Sequence, residues 1–524
     1  MLEIKYIRTV VLLFALLDQA RAYPSQNGYD NHLDGDSQQE NSDTQFQASS
    51  LSANQLVYTT SNGQPYSSPF SAQRIGLNGP LLLQDSHLID NQAHFERENI
   101  PDRIVHASGA GAHGIFTVTT GFANKYTDMD VFSKIGKQTP ITVRLSNAAN
   151  SKGSSDTGRN IRGFALKFRT PKGIWDLLIR DPGKFPAFTH SQGRNPHTNR
   201  PDPDSSFDFL GSNPEALAQF LRTISNEGTS KGWLHTNAFT VNPYKWVKRD
   251  GTWVYVKIVL KTNQGLENFN ATQQSQISNP DYATKFYIES GKRPSWTVYA
   301  QVLSPVDAEK FRYNVLDVTK EWTEDLVPIY EVGLLELTRN PENYFAEVEQ
   351  LAFSPANLID GWEPSEDPIL QMRLFAYADA QRYRLGANYQ QIPINCPMNQ
   401  IANFQRDGVF SNFDNQGRRP SYASSFESLN YPIRSFNTDN HTLWSSGAIR
   451  YLSEVNDIDF EQPRDYYNRM STVQKEDLVN NFAFGLSLVS RRDIVKRVIG
   501  VIRRASPELS SRIESRIILF SKSS

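Results

Sequence analysis

The chain predicts an α+β protein, with an antiparallel β-barrel or sandwich through its middle and helices at its C-terminal end. The first observation is a strand pattern: Ile141, Val143 and Leu145 alternate with Thr142, Arg144 and Ser146. That period of two marks a half-buried strand and puts Arg144 and Ser146 on one face. The second is its repetition. Val254, Val256, Ile258 and Leu260 share one side of a run from Trp253 to Thr262, and Trp296 to Leu303 is another aromatic and β-branched run. Gly, Pro and Asn turns separate such runs, as in antiparallel barrels and sandwiches. The third is a change of period near the end. Ser471 is placed to cap a helix carrying Leu478, Phe482, Leu486 and Val489 on one stripe. Ile494, Val495, Val498 and Ile502 give a second helix over Arg491 to Arg504, whose basic residues read as a solvated face.

The ends and composition set the boundaries. Lys5 and Arg8 precede an apolar run from Thr9 to Leu17, which stops before Ala20-Arg21-Ala22. This pattern predicts a secretory signal peptide over 1–22, too short for a spanning helix. Residues 23–55 are rich in Ser, Gln, Asn and Asp and contain no Lys or Arg, so a disordered acidic leader is expected. The β-rich core is then expected over 56–410, a wrapping or linker segment over 411–455, and a helical region over 456–524. With 524 residues, 38% of them hydrophobic, a large core can form. The net charge of -2 argues against a nucleic-acid partner. Cys396 is the only cysteine, which excludes an intrachain disulfide. Asn270-Ala271-Thr272 and Asn440-His441-Thr442 are glycosylation sequons in a chain expected to be extracellular.

Two constellations carry chemistry. In the run Arg373-Leu374-Phe375-Ala376-Tyr377, with Arg384 seven residues on, positions 373, 377 and 384 fall within roughly 40° of one another on a helix. Cations beside a phenol favour phenolate, an anionic oxygen ligand suited to ferric iron. Spacing alone favours a core tyrosine beside two surface arginines. Far upstream, Arg103-Ile104-Val105-His106-Ala107-Ser108-Gly109-Ala110-Gly111-Ala112 surrounds His106 with small residues that permit close approach of a flat ligand.

Taken together, these segments resemble the haem catalases. The family's R-L-F-A-Y and R-L-G motif is similar to Arg373 to Tyr377 and Arg384-Leu385-Gly386, and its V-V-H-A-K-G-A-G-A motif is similar to the His106 run. Thr139 to Ser146, Arg162-Gly163-Phe164-Ala165, Ile179-Arg180-Asp181-Pro182 and Arg339-Asn340-Pro341 extend the resemblance, which spans about Leu56 to Tyr422. It implies a barrel core with a wrapping segment and a C-terminal helical bundle. It also implies haem b held through Tyr377 as iron ligand, with Arg373 keeping the phenolate. His106 would be the acid/base residue acting on hydrogen peroxide, and Ser146 would orient it. Arg103, Arg144 and Arg384 would pair with the haem propionates. Phe185 and Phe188 would line the pocket and its access path. A homotetramer is implied as well.

The departures from the family shape the functional expectation. Trp175-Asp176-Leu177-Leu178 runs directly into Ile179-Arg180-Asp181, without the intervening segment that carries the family's distal asparagine. Asn147 and Asn150 lie near Ser146 in sequence, with no geometric reason to promote either. Asn160 stands for the channel aspartate, Ala148 for a valine, and His113 for a phenylalanine. Ala218 and Glu227 replace a histidine and an arginine that contact NADPH, and a glutamate would repel its phosphates, so bound NADPH is not expected. The expected function is a secreted haem oxidoreductase acting on hydrogen peroxide, with reduced dismutation and with small organic electron donors admitted to a wider pocket. The alternative is a haem-binding or structural protein of the same fold with little turnover.

Overall fold

The computed structural model describes residues 56–149, 151–168, 170–171, 179–279, 281–282, 288, 291–431 and 448–523. The expected signal peptide and leader, Asn150, the Trp175 to Leu178 junction and the sequon at Asn440 lie outside the described residues. Ile100–Ser524 forms one compact unit and the chain before it another, a boundary inside the span expected for the core. The described part of the first unit holds the helix Ser86–Phe95, with Tyr58 and Tyr66 packed around His87.

In the second unit, ten strands form one antiparallel sheet among the described residues. In chain order they are β1 (Gly109–Val118), β2 (Gln138–Asn147), β3 (Arg162–Phe168), β4 (Thr170–Pro171), β5 (Ala238–Phe239), β6 (Tyr244–Val247), β7 (Trp253–Thr262), β8 (Ser295–Leu303), β9 (Tyr330–Arg339) and β10 (Trp362–Pro364). Their order across the sheet is β10-β6-β7-β8-β9-β1-β2-β3-β4, with β5 on β7. The alternating runs thus became β2, β7 and β8. The sheet curls on itself: β3 and β8 lie four places apart, yet the rings of Phe164 and Trp296 meet at 5.2 Å. Inside the curl, Phe116, Val143, Leu145, Leu166, Val256, Leu260, Val298 and Leu335 make one apolar core. Each buried side chain of this size contributes roughly 1.5–3 kcal/mol, so the face assignment of every strand is strongly fixed.

The opposite face of β1, β2 and β3 is built differently. Strand register aligns Gly109 with Ser146 and Gly163, Gly111 with Arg144 and Ala165, and His113 with Thr142 and Lys167. Two rows of that outer face therefore carry mainly small residues around Ser146 and Arg144.

A second apolar core lies among helices. α1 (Phe185–Ser191), α2 (Pro203–Ser212) and α3 (Leu217–Ile224) follow the β1–β4 strands. α4 (Pro368–Leu385) follows β10, and α5 (Glu461–Arg469), α6 (Thr472–Ser487), α7 (Arg492–Ala505) and α8 (Pro507–Ser523) form the C-terminal layer. Ser471 caps α6 as expected, its hydroxyl accepting from Gln474 N in a capping box. Leu478, Phe482, Leu486, Ile494, Val498 and Ile502 are buried against Phe207, Leu210, Leu217 and Leu221. The basic side chains of α7 are largely paired, Arg497 with Asp208, Arg503 with Glu514 and Arg504 with Asp457. A buried ion network sits at the edge of this layer. Arg180 contacts Asp317 at 3.1 Å and Asp459 at 2.6 Å, and Lys320 reaches Asp459 at 2.6 Å. No described helix is long and apolar enough to cross a membrane.

Candidate active site

His106 precedes β1 with φ of 63°, a left-handed conformation uncommon for a residue with a side chain. Its backbone is held there on both sides. Its N–H donates to Ala148 O at 2.9 Å, and Arg144 donates to the carbonyls of His106 at 2.7 Å and Ala107 at 2.9 Å. The side chain then meets the outer face of β2 and β3. Its Nδ1 lies 2.8 Å from the Ser146 hydroxyl, so the alternation that put Ser146 beside Arg144 also delivers it to His106. A Cβ at Gly163 would fall 2.4 Å from His106 Nδ1 and 2.8 Å from Ser146 Oγ, so only glycine fits beneath this pair. Burial, reinforced by Arg144, Arg103 and Arg373, holds the imidazole pKa well below its usual value. At neutral pH His106 is an uncharged ring, the form that accepts a proton.

Tyr377 comes to the same face from α4. Asp367 fixes the start of that helix, its carboxylate accepting from Ile369 N at 2.8 Å and Leu370 N at 3.4 Å. Half-buried Tyr377 packs against Ala165, Leu351 and Phe353. Gly163 and Ala165 point the same way from β3, about 6.8 Å apart along the strand. His106 and Tyr377 are thereby brought to one surface, as the two motifs required.

Arg373 donates to the Tyr377 phenol at 3.4 Å and lies 5.2 Å from its ring centroid. It also donates to Asn242 Oδ1, and Asn242 Nδ2 donates to Asp367 at 2.5 Å. A chain of contacts thus runs from the phenol to the carboxylate that caps the helix. Arg384 does not join it. It turns to Pro101 O, Gln381 and Glu349, so Arg373 is the cation at the phenol. The net pKa direction differs from expectation: burial raises the phenol above its usual value, and Arg373 only partly offsets this. Phenolate at this position needs a further positive charge.

The arginines expected at the cofactor edge do cluster. Arg103 donates to Val348 O, Glu349 O and Leu351 O at 2.8–3.0 Å, and Arg384 donates to Glu349 O at 3.0 Å. Burial and the charges of Arg144 and Arg384 hold the Arg103 pKa well below normal. Glu349 sits 3.8 Å from Arg103 and 3.4 Å from Arg384. Lys152 also approaches Glu349 at 3.9 Å, so positive charge is in excess around this carboxylate. Arg103 Nη1 and Arg144 Nε have no hydrogen-bond partner among the described residues. This donor set fits a flat dianionic ligand whose carboxylates reach the arginines.

Four further residues singled out in the sequence have these surroundings. Phe185 and Phe188 pack against the helical core, Phe188 with its ring 5.5 Å from Phe209. Asn147 is fully buried, its amide donating to Ser155 O and Asp156 O and accepting from Arg162. Asn160 grips the backbone of Ala149 with both amide atoms. Both amides are committed to local structure.

The comparisons agree with this geometry. The family model for catalase matches residues 59–428, and one for a catalase-related immune-responsive domain matches 453–517. The chain is 41% identical over 474 residues to the catalase of Schizosaccharomyces pombe, covering 87% of this chain and 92% of that one. It is 42% identical to the catalase of Cavia porcellus, covering 88% and 89%. Catalase A from Saccharomyces cerevisiae superposes with a TM-score of 0.85 at 40% identity, covering 88% of this chain and 99% of that one. The fold and site define a haem oxidoreductase class. The chain belongs to the catalase family, whose members bind haem through a tyrosine.

Two outcomes follow from this geometry. Gly163→Ala should separate His106 from Ser146 and lower peroxide turnover by about a hundredfold. Oxygen evolution together with far-UV circular dichroism checks this, and unchanged turnover would contradict the packing argument. Because His106 stays neutral when folded, the unfolded chain binds a proton that the folded one refuses. Its stabilising effect is complete above about pH 6.5 and is lost as pH falls below that value toward the depressed folded pKa. Urea unfolding at pH 7.5 and 5.0 should show a smaller acid-induced loss for His106→Gln than for the natural protein.

Proposed function

We propose that this protein is a secreted haem b enzyme that decomposes hydrogen peroxide, with a dismutation rate lowered by the shortened chain between Trp175 and Ile179. The observation that carries the reading is the neutral, buried His106 and Ser146 pair on the surface that also receives Tyr377 and Arg373. Bound haem would supply the redox chemistry of peroxide cleavage at its iron. Tyr377 would hold that iron, Arg373 would support its phenolate, and Arg103, Arg144 and Arg384 would take the propionates. His106 would take a proton from one peroxide oxygen and deliver it to the other, through the nitrogen that Ser146 does not engage. Ser146 would keep the ring in one plane through the cycle.

The distal amide donor has no counterpart in the sequence, and Asn147 and Asn160 are committed elsewhere. Loss of one such donor costs roughly two to three orders of magnitude in rate. Ala148 and Asn160, at positions the family resemblance assigns to the peroxide channel, support a pocket open to small organic electron donors. The NADPH reading rests on charge: Glu227, which would face the dinucleotide phosphates, pairs with Arg222 at 3.1 Å. Homotetramer formation is proposed from family membership.

Oxygen evolution from millimolar peroxide, measured beside catalase A from Saccharomyces cerevisiae, should be about a hundredfold to a thousandfold slower. His106→Ala should abolish it while the haem spectrum persists. A matching rate would remove the lowered-rate clause. An intact haem spectrum without turnover in the natural protein would favour a haem-binding role, which the missing distal asparagine supports. Secretion is checked by N-terminal sequencing of protein from the medium: a start at Tyr23 is expected, and an intact Met1 would overturn it.

A further inference from the structure

His113 and Glu347 form a buried-edge pair that the reaction itself does not use. The pairing of β1 with β9 shifts between His113 and Gly114, Thr338 of β9 being the extra residue, and a Cβ at Gly114 would come within 2.0 Å of Glu336 O. Alternation along β1 puts His113 on the outer face with Gly109 and Gly111, in the row beyond Arg144. Its Nδ1 lies 3.0 Å from Thr142 Oγ1 and its Nε2 lies 2.5 Å from Glu347 Oε2. The carboxylate is further secured by Arg339 at 3.2 Å and by the backbone N–H groups of Glu342 and Asn343.

Glu347 belongs to the single wide helical turn Phe345–Glu349. The other end of that turn holds the arginine cluster. Val348 O and Glu349 O accept from Arg103, Glu349 O accepts from Arg384, and the Glu349 carboxylate lies between them. The turn also rests on β1, because a Cβ at Gly111 would meet Val348 Cγ2 at 2.7 Å. Moving Glu347 would therefore move the acceptors that aim two of the three guanidiniums.

We propose that His113 and Glu347 are positioning residues for the cofactor, clamping the Phe345–Glu349 turn to the sheet so that Arg103 and Arg384 face the haem carboxylates. The proposal rests on the haem reading above. A hydrogen bond to a charged group removed at this clamp should raise the haem-loss rate by about tenfold to a hundredfold.

The test uses the full chain loaded with haem, with loss measured by transfer to excess apomyoglobin. His113→Phe and Glu347→Ala should each accelerate loss, and the double variant should lose haem no faster than the worse single one. His113→Gln, which keeps a hydrogen-bonding side chain toward Glu347, should restore part of the retention. Thermal unfolding of the haem-free forms separates folding from positioning. Haem loss unchanged in both single variants, additive effects, or losses that only track a lowered unfolding temperature would overturn the proposal. Failure of the natural protein to take up haem in a hemin titration would instead overturn the haem reading.

Discussion

Arg144 is the residue on which the site depends. Buried on β2, it fixes the backbone of His106 and Ala107 through two hydrogen bonds, and the residue two positions along presents the hydroxyl that fixes the His106 ring. The same guanidinium belongs to the cluster of positive charge with Arg103 and Arg384 and helps to keep His106 neutral. One strand thus sets the conformation, orientation and protonation of His106. The left-handed φ of His106 costs on the order of 1–3 kcal/mol, which its surroundings must offset. The contacts of Arg144 and Ala148 are where that offset arises.

The proximal side follows a different logic. Here a polar chain from Tyr377 through Arg373 and Asn242 ends at Asp367, which also caps the helix carrying the tyrosine. Helix start and phenol position are therefore coupled. Burial works against the phenolate and Arg373 works for it, with burial the larger effect.

Much of this was legible because it is local. Alternation from Ile141 to Ser146 placed Arg144 and Ser146 on one face, and the Ser471 cap and its apolar stripe gave α6. The family motifs paired His106 with Tyr377 across a long separation that no periodicity encodes. Asn242, Asp367 and Glu349 were missed because each is an ordinary polar residue until register brings it to its partner. The need for glycine at 163 was invisible for the same reason: the ring it accommodates comes from outside its own strand. Helical spacing put Arg384 on the Tyr377 face correctly, but two turns separate them along the axis. That separation leaves Arg384 beside Arg103 and Glu349, the neighbourhood its expected propionate role requires.

The network of Arg180, Lys320, Asp317 and Asp459 gives the molecule an uneven response to heat. Ion pairs removed from water pay a large hydration penalty at room temperature, and that penalty shrinks as temperature rises. Apolar burial has no comparable gain. Warming should then leave the seam joining the chain before α1, the β8–β9 connection and the start of the C-terminal helices comparatively firm, while regions held by apolar contact alone loosen first. For a chain without a disulfide, such a seam is a covalent-free substitute for a staple, and one that works best when it is most needed.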